Sequence, residues 1–101
     1  MSEVNRSSRQ APIVEEEIHL TLTELCQACS VPEEQVMGWV LEGVIEPSGA
    51  GPQDWHFSGQ SLRRVRVAWR LTRDLELNPA GVSLALDLLD EIAALKALLR
   101  R

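Results

Sequence analysis

The chain is predicted to fold as a mostly α domain, a winged helix-turn-helix with a short β wing and a long C-terminal helix. Three observations predict it. Apolar residues recur at the helical period in several stretches after residue 18. A turn-rich cluster of Ser48, Gly49, Ala50, Gly51 and Pro52 separates two short β-prone segments. The last stretch opens on Asn78 and Pro79 and runs to the C-terminus with only Gly81 to weaken it.

Composition agrees with that class. Of 101 residues 45% are apolar and only 4% aromatic, with 10 Lys and Arg against 15 Asp and Glu, a formal charge of −5. Such a chain is one acidic domain, large enough to bury a core without metal or disulfide help. No run approaches the roughly 18 apolar residues of a membrane span, and the N-terminus lacks the plan of a signal peptide. The expected location is the cytoplasm, with no membrane partner.

Residues 1–17 read as a disordered tail, rich in Ser, Asn, Arg and Gln and closed by Glu15, Glu16 and Glu17, without an apolar period. The folded domain is expected over 18–101. Ile18, Leu20 and Leu22 alternate as a short strand does, and Thr21 with Glu24 offers a capping box for a first helix over 22–29. Ser30, Val31 and Pro32 make the turn. Glu33 and Glu34 then suit the positive end of a second helix over 33–42. Its apolar arc holds Val36, Met37, Trp39, Val40 and Leu41, which leaves Glu34, Gln35, Gly38 and Glu42 on the solvent face.

Gly43 fits a helix stop, and Val44, Ile45, Glu46 and Pro47 read as a strand that ends at proline. With Trp55, His56 and Phe57 it would form the wing, His56 pointing outward by strand alternation. Ser58 can cap a third helix over 59–76, whose apolar residues fill more than half its circumference, as in a central helix. Its remaining face carries Arg63, Arg66, Arg70 and Arg73 in one stripe, either a binding strip or a solvated face paired with nearby carboxylates.

In the fourth helix, from 79 to the end, Val82, Ala85, Leu86, Leu89, Ile92 and Ala93 form the stripe expected to pack on the domain. A second stripe, Leu84, Leu88, Leu95 and Leu99, keeps one seam aligned for a partner helix, and a homodimer paired through it is expected.

The chemistry of an enzyme is missing. No phosphate loop, H-E-x-x-H or nucleophile elbow occurs, His19 and His56 stand apart, and the neighbours Asp90 and Glu91 diverge by about 100° on a helix. No catalytic residue, metal site or cofactor is therefore assigned. Cys26 and Cys29 have C-x-x-C spacing, but the rest of a zinc or redox site is absent and they serve as small core residues. A role in binding is left, and charge narrows it. Between Val31 and Pro47 stand Glu33, Glu34, Glu42 and Glu46 without one Lys or Arg, where a helix-turn-helix protein keeps its DNA-reading helix. Four carboxylates repel phosphates, so a basic protein surface is the expected partner and direct nucleic-acid binding is not expected.

The run from Leu20 to Cys26, then Val44, Ile45, Glu46 and Pro47, then Trp55, His56 and Phe57, resembles the winged helix-turn-helix of MerR-type proteins. More narrowly, the runs from Arg70 to Leu77 and from Leu88 to Lys96, with Gly81 and Val82 between, resemble the CbpM-type chaperone modulators. That resemblance implies a bacterial cytoplasmic protein that binds the J-domain of a DnaJ-like, curved-DNA-binding co-chaperone. It implies inhibition of that co-chaperone's action with Hsp70 and of its DNA binding. The expected contacts are two acidic faces, Glu34, Glu42 and Glu46 around the second helix, and Asp74, Asp87, Asp90 and Glu91 around the third and fourth. A small MerR-like DNA-binding regulator is the alternative and would rely on the arginine stripe with Arg6 and Arg9. A redox or zinc protein using Cys26 and Cys29 is the third.

Overall fold

The computed structural model describes residues 18–100, so the expected tail over 1–17 lies outside the described residues. In chain order the elements are β1 (Leu20–Thr21), α1 (Leu22–Cys29), α2 (Glu33–Leu41), a 3₁₀ turn (Pro52–Asp54), β2 (His56–Phe57), α3 (Gly59–Leu75) and α4 (Pro79–Leu99). Helices therefore dominate, with one small antiparallel sheet. None of the helices among the described residues is long and apolar enough to cross a membrane.

Local chemistry sets most boundaries. The capping box of α1 is complete: Glu24 N–H donates to Thr21 Oγ1 at 3.1 Å and Thr21 N–H to Glu24 Oε1 at 2.9 Å. α1 stops at Ser30, which takes the left-handed conformation at φ 55° while Val31 N–H returns to Cys26 O. α2 ends the same way one turn-former later, with Gly43 at φ 78° and Val44 N–H bonded to Trp39 O at 2.8 Å. Ser58 caps α3 through Ser61 N–H, and Asn78 caps α4 through Gly81 N–H with Pro79 behind it. Each such cap contributes about 1 kcal/mol.

The core gathers on Trp39, Phe57, Leu25, Val36, Val65 and Val82, all fully buried. Trp39 of α2 meets Trp69 of α3 edge to face at 6.3 Å between ring centres, and its indole N–H has no acceptor among the described residues. Phe57 is buried while its neighbour His56 faces solvent, as strand alternation predicts.

Three expectations fail for physical reasons. Residues 44–47 do not form a strand: Val44 and Ile45 are each 2% exposed, so both enter the core and cannot alternate across a sheet. The sheet instead pairs β1 with β2, Leu20 opposite Phe57 and Thr21 opposite His56, and the wing closes by a single bridge between Ser48 and His56. Second, the polar face of α2 is not simply solvated, nor is its apolar arc wholly buried. Gly38 lies against Pro79, where a Cβ would come within 3.2 Å of the proline Cγ, and Ser83 Oγ donates to Glu42 O at 3.3 Å. Leu41, assigned to the core, is 85% exposed. Third, the packed stripe of α4 reaches only as far as Val82 and Leu86. Leu89 and Ile92 are 46% and 47% exposed, Leu89 lying along an open groove between α3 and α4.

Cys26 and Cys29 are half-buried one helical turn apart, and both are free. Burial raises both thiol pKa values; for Cys26 the nearby Glu33 adds to the rise, while for Cys29 the Arg66 guanidinium opposes it. The folded state thus favours neutral thiols, which suits packing rather than metal or redox chemistry.

Two predictions follow from these backbones and thiols. At Gly49, φ is 114° and a Cβ would clash with the Asp54 backbone carbonyl, whereas Gly43 at φ 78° has open space. Gly43→Ala should lower stability by about 1–2 kcal/mol, the left-handed penalty alone, and Gly49→Ala should lower it further; equal urea midpoints would contradict this. Because the thiol pKa values are raised on folding, their contribution is whole below about pH 8.5 and is lost as pH rises through the folded values. Between pH 7 and 10 the wild type should therefore lose more stability than a Cys26→Ala/Cys29→Ala variant, as read from the urea midpoint at each pH.

Candidate partner-binding surface

Every carboxylate assigned to the contact, Glu34, Glu42, Glu46, Asp74, Asp87, Asp90 and Glu91, is exposed. The structure joins what the sequence separates into two faces. Glu34, Gly38 and Glu42 recur at intervals of four and so form one row along α2. Contact of Gly38 with Pro79, and of the Glu42 carbonyl with Ser83, lays that row beside α4. Asp87 follows Ser83 by one turn, on the same side of α4.

A second tie comes from Arg64, a residue that sequence reasoning passed over. Its Nε donates to Val44 O at 2.8 Å, and its Nη1 reaches Asp90 Oδ2 at 3.1 Å and Oδ1 at 3.4 Å. One guanidinium therefore links α3, the loop that carries Glu46, and the middle of α4. A signal was available: Arg64 is offset by about 100° from Arg63 on the helix, which takes it off the arginine stripe and toward the side that packs. Its side chain is 21% exposed, and that of Asp90 62%. Asp74, at the last turn of α3, is drawn into the set by neither tie.

Glu42, Glu46, Asp87 and Asp90 thus border a single edge, and Glu91 continues it along α4. Beside this edge runs the apolar seam. Leu84, Leu88, Leu95 and Leu99 are all exposed, Leu99 by 85%, and Ile92 falls in the same row one turn after Leu88. A helix that is apolar on most of its circumference is ordinarily covered, yet no residue of α4 after Leu86 is buried.

Of the arginine stripe, Arg63 reaches the groove that Asp90 and Leu89 line, while Arg66 and Arg73 are engaged elsewhere. The Arg66 guanidinium acts on the Cys29 thiol, whose pKa it lowers, and the Arg73 guanidinium stacks over Trp69 at 5.6 Å from the ring centre. Part of the stripe's charge is therefore held against the α1 and α3 side chains. Among the described residues no group of three or more His, Cys, Asp or Glu is placed to hold a metal ion.

Comparison with known proteins agrees with this architecture. Residues 20–101 match the family model of the MerR HTH family regulatory proteins. The chain is 40% identical over 88 residues to the chaperone modulatory protein CbpM of Coxiella burnetii (strain Dugway 5J108-111), covering 87% of this chain and 83% of the relative. It is likewise 40% identical over 80 residues to the chaperone modulatory protein CbpM of Pseudomonas putida (strain GB-1), covering 79% of each. The chain belongs to the MerR-type helix-turn-helix proteins and, with these relatives, to the CbpM chaperone modulators.

Proposed function

We propose that this chaperone modulator binds the J-domain of a DnaJ-like, curved-DNA-binding co-chaperone and thereby inhibits its action with Hsp70 and its DNA binding. The observation that carries the proposal is the edge where the α2 row and α4 meet: Glu42, Glu46, Asp87, Asp90 and Glu91 are exposed together. Arg64, a cation at this edge, is already held by Val44 and Asp90. A J-domain presents a basic helix to Hsp70, and an acidic surface of like outline competes for it. The protein acts by occlusion, without catalysis or cofactor, in the bacterial cytoplasm.

Direct DNA reading has less support. α2, which occupies the recognition position, carries Glu33 and Glu34, with Glu42 as its C-cap, and no Lys or Arg, so it has no cation for a guanine edge or a phosphate. The homodimer belongs to the same proposal. Its seam is Leu84, Leu88, Leu95 and Leu99, joined by Ile92, because contiguous apolar surface of this kind marks an interface.

Calorimetric titration with the J-domain of the cognate co-chaperone tests the main claim; absence of binding at tens of micromolar would sink it. Reversal of Glu42 with Asp87 to Lys should weaken binding at least about tenfold, roughly 1.4 kcal/mol, whereas Asp54→Lys on the wing should leave it unchanged. Leu88→Asp with Leu95→Asp should halve the mass in sedimentation, and a mass that does not change would remove those leucines from the seam.

A further inference from the structure

The α4 arm is seated on α2 and α3 through its first half. Pro79, Val82 and Leu86 seat its first half on the domain, and no later residue of the helix is buried. Among the described residues Asp90 is the last residue of α4 whose side chain is bonded to the rest of the domain, and its partner is Arg64. Beyond Asp90 the helix runs nine residues to Leu99, about 14 Å at 1.5 Å per residue. A rocking motion of about 20° would therefore carry Leu99 through roughly 5 Å. Such a shift would separate Glu91 and the apolar seam from Glu42 and Glu46, which belong to α2 and the loop after it.

Arg64 is suited to prevent that motion. A guanidinium is a rigid fork whose donors face different directions, and here Nε is spent on a backbone carbonyl while Nη1 serves the carboxylate. The carbonyl belongs to Val44, which is buried and bonded in turn to Trp39 O. The ion pair is thus anchored to the core rather than to another mobile side chain. Leu86 and Leu89 of α4 and Val67 of α3 line the open groove beside it, so little apolar packing would replace the pair if it were lost.

We propose that Arg64 is a positioning residue for the partner-binding surface: it locks the α4 arm to the Val44 loop so that the two halves of the acidic edge stand in fixed register. The proposal rests on the partner reading given above for its functional consequence, but its structural claim stands without it.

Arg64→Met retains the aliphatic stem and removes both contacts. The sign of its effect on J-domain affinity is diagnostic. If Arg64 were only a surface cation, its loss would make the protein more acidic and tighten binding to a basic partner. As a positioning residue its loss should weaken binding about tenfold, the scale of one lost coupling between contacting side chains. Residual dipolar couplings of backbone amides on the full-length protein supply a readout that stability alone does not move. In the wild type, residues of α4 should share one alignment tensor with α1 to α3, and in Arg64→Met they should not. Asp90→Asn, a nearly isosteric change at an exposed position, should uncouple the tensors in the same way and covers the case in which Arg64→Met does not fold. Shared tensors in the variant that folds, or tighter binding by Arg64→Met, would overturn the proposal. Failure of the wild type to bind a J-domain would sink the partner reading alone, since the couplings still decide what Arg64 does.

Discussion

The indole of Trp39 fills the centre of the core, and the helices are placed by the room it needs. It projects from α2 toward Trp69 on α3, and the helix that carries it is pressed on its other side against the start of α4. That approach is possible because residue 38 has no side chain to stand between the α2 backbone and the Pro79 ring. The acidic surface then follows from the packing. Glu34 and Glu42 share the row of Gly38, so the contact that seats Trp39 also brings their row alongside α4.

Charge is sorted around this arrangement. Arg63, Arg66, Arg70 and Arg73 take one face of α3, where Arg66 and Arg73 lie against Cys29 and Trp69. Arg64 turns to the acidic side, and there it is bonded on two sides. Exposed carboxylates brought together in this way repel one another weakly through water, with screening over about 8–10 Å at ordinary salt. On the proposed reading, their collective field is what a cationic partner would meet first, and such a field acts on encounter more than on final affinity.

What could be read from the sequence was whatever depends on neighbours in the chain. Thr21 with Glu24, Ser58, Asn78 with Pro79 and Gly43 are local signals, and each helix starts or stops where they say. Family membership was readable for the same reason, through ordered runs of residues rather than any single one. The failures are all matters of tertiary placement. Val44 and Ile45 have the composition of a strand but are drawn into the core together; Leu41 has that of a core residue but faces water. Gly38 looked like a gap in a polar face until Pro79 was seen opposite it. Arg64 was hidden because periodicity sorts side chains by helix face and is silent about which distant carbonyl or carboxylate they reach. The candidate site was readable as a list of exposed acids and a leucine row, but the sequence could not show that the α2 row runs beside α4.

The small sheet has a consequence for how any partner is recognised. β1 and β2 each contribute two residues, and the far side of β2 is already taken by the bridge from Ser48. A ladder this short has no edge on which an incoming strand can lay down a run of main-chain hydrogen bonds. Under the proposed function, recognition would fall to side chains carried by helices, where the identity of each exposed residue matters more than backbone complementarity. A fold of this kind can exchange one partner for another by changing a handful of surface residues while its core, its caps and the place of Trp39 stay as they are.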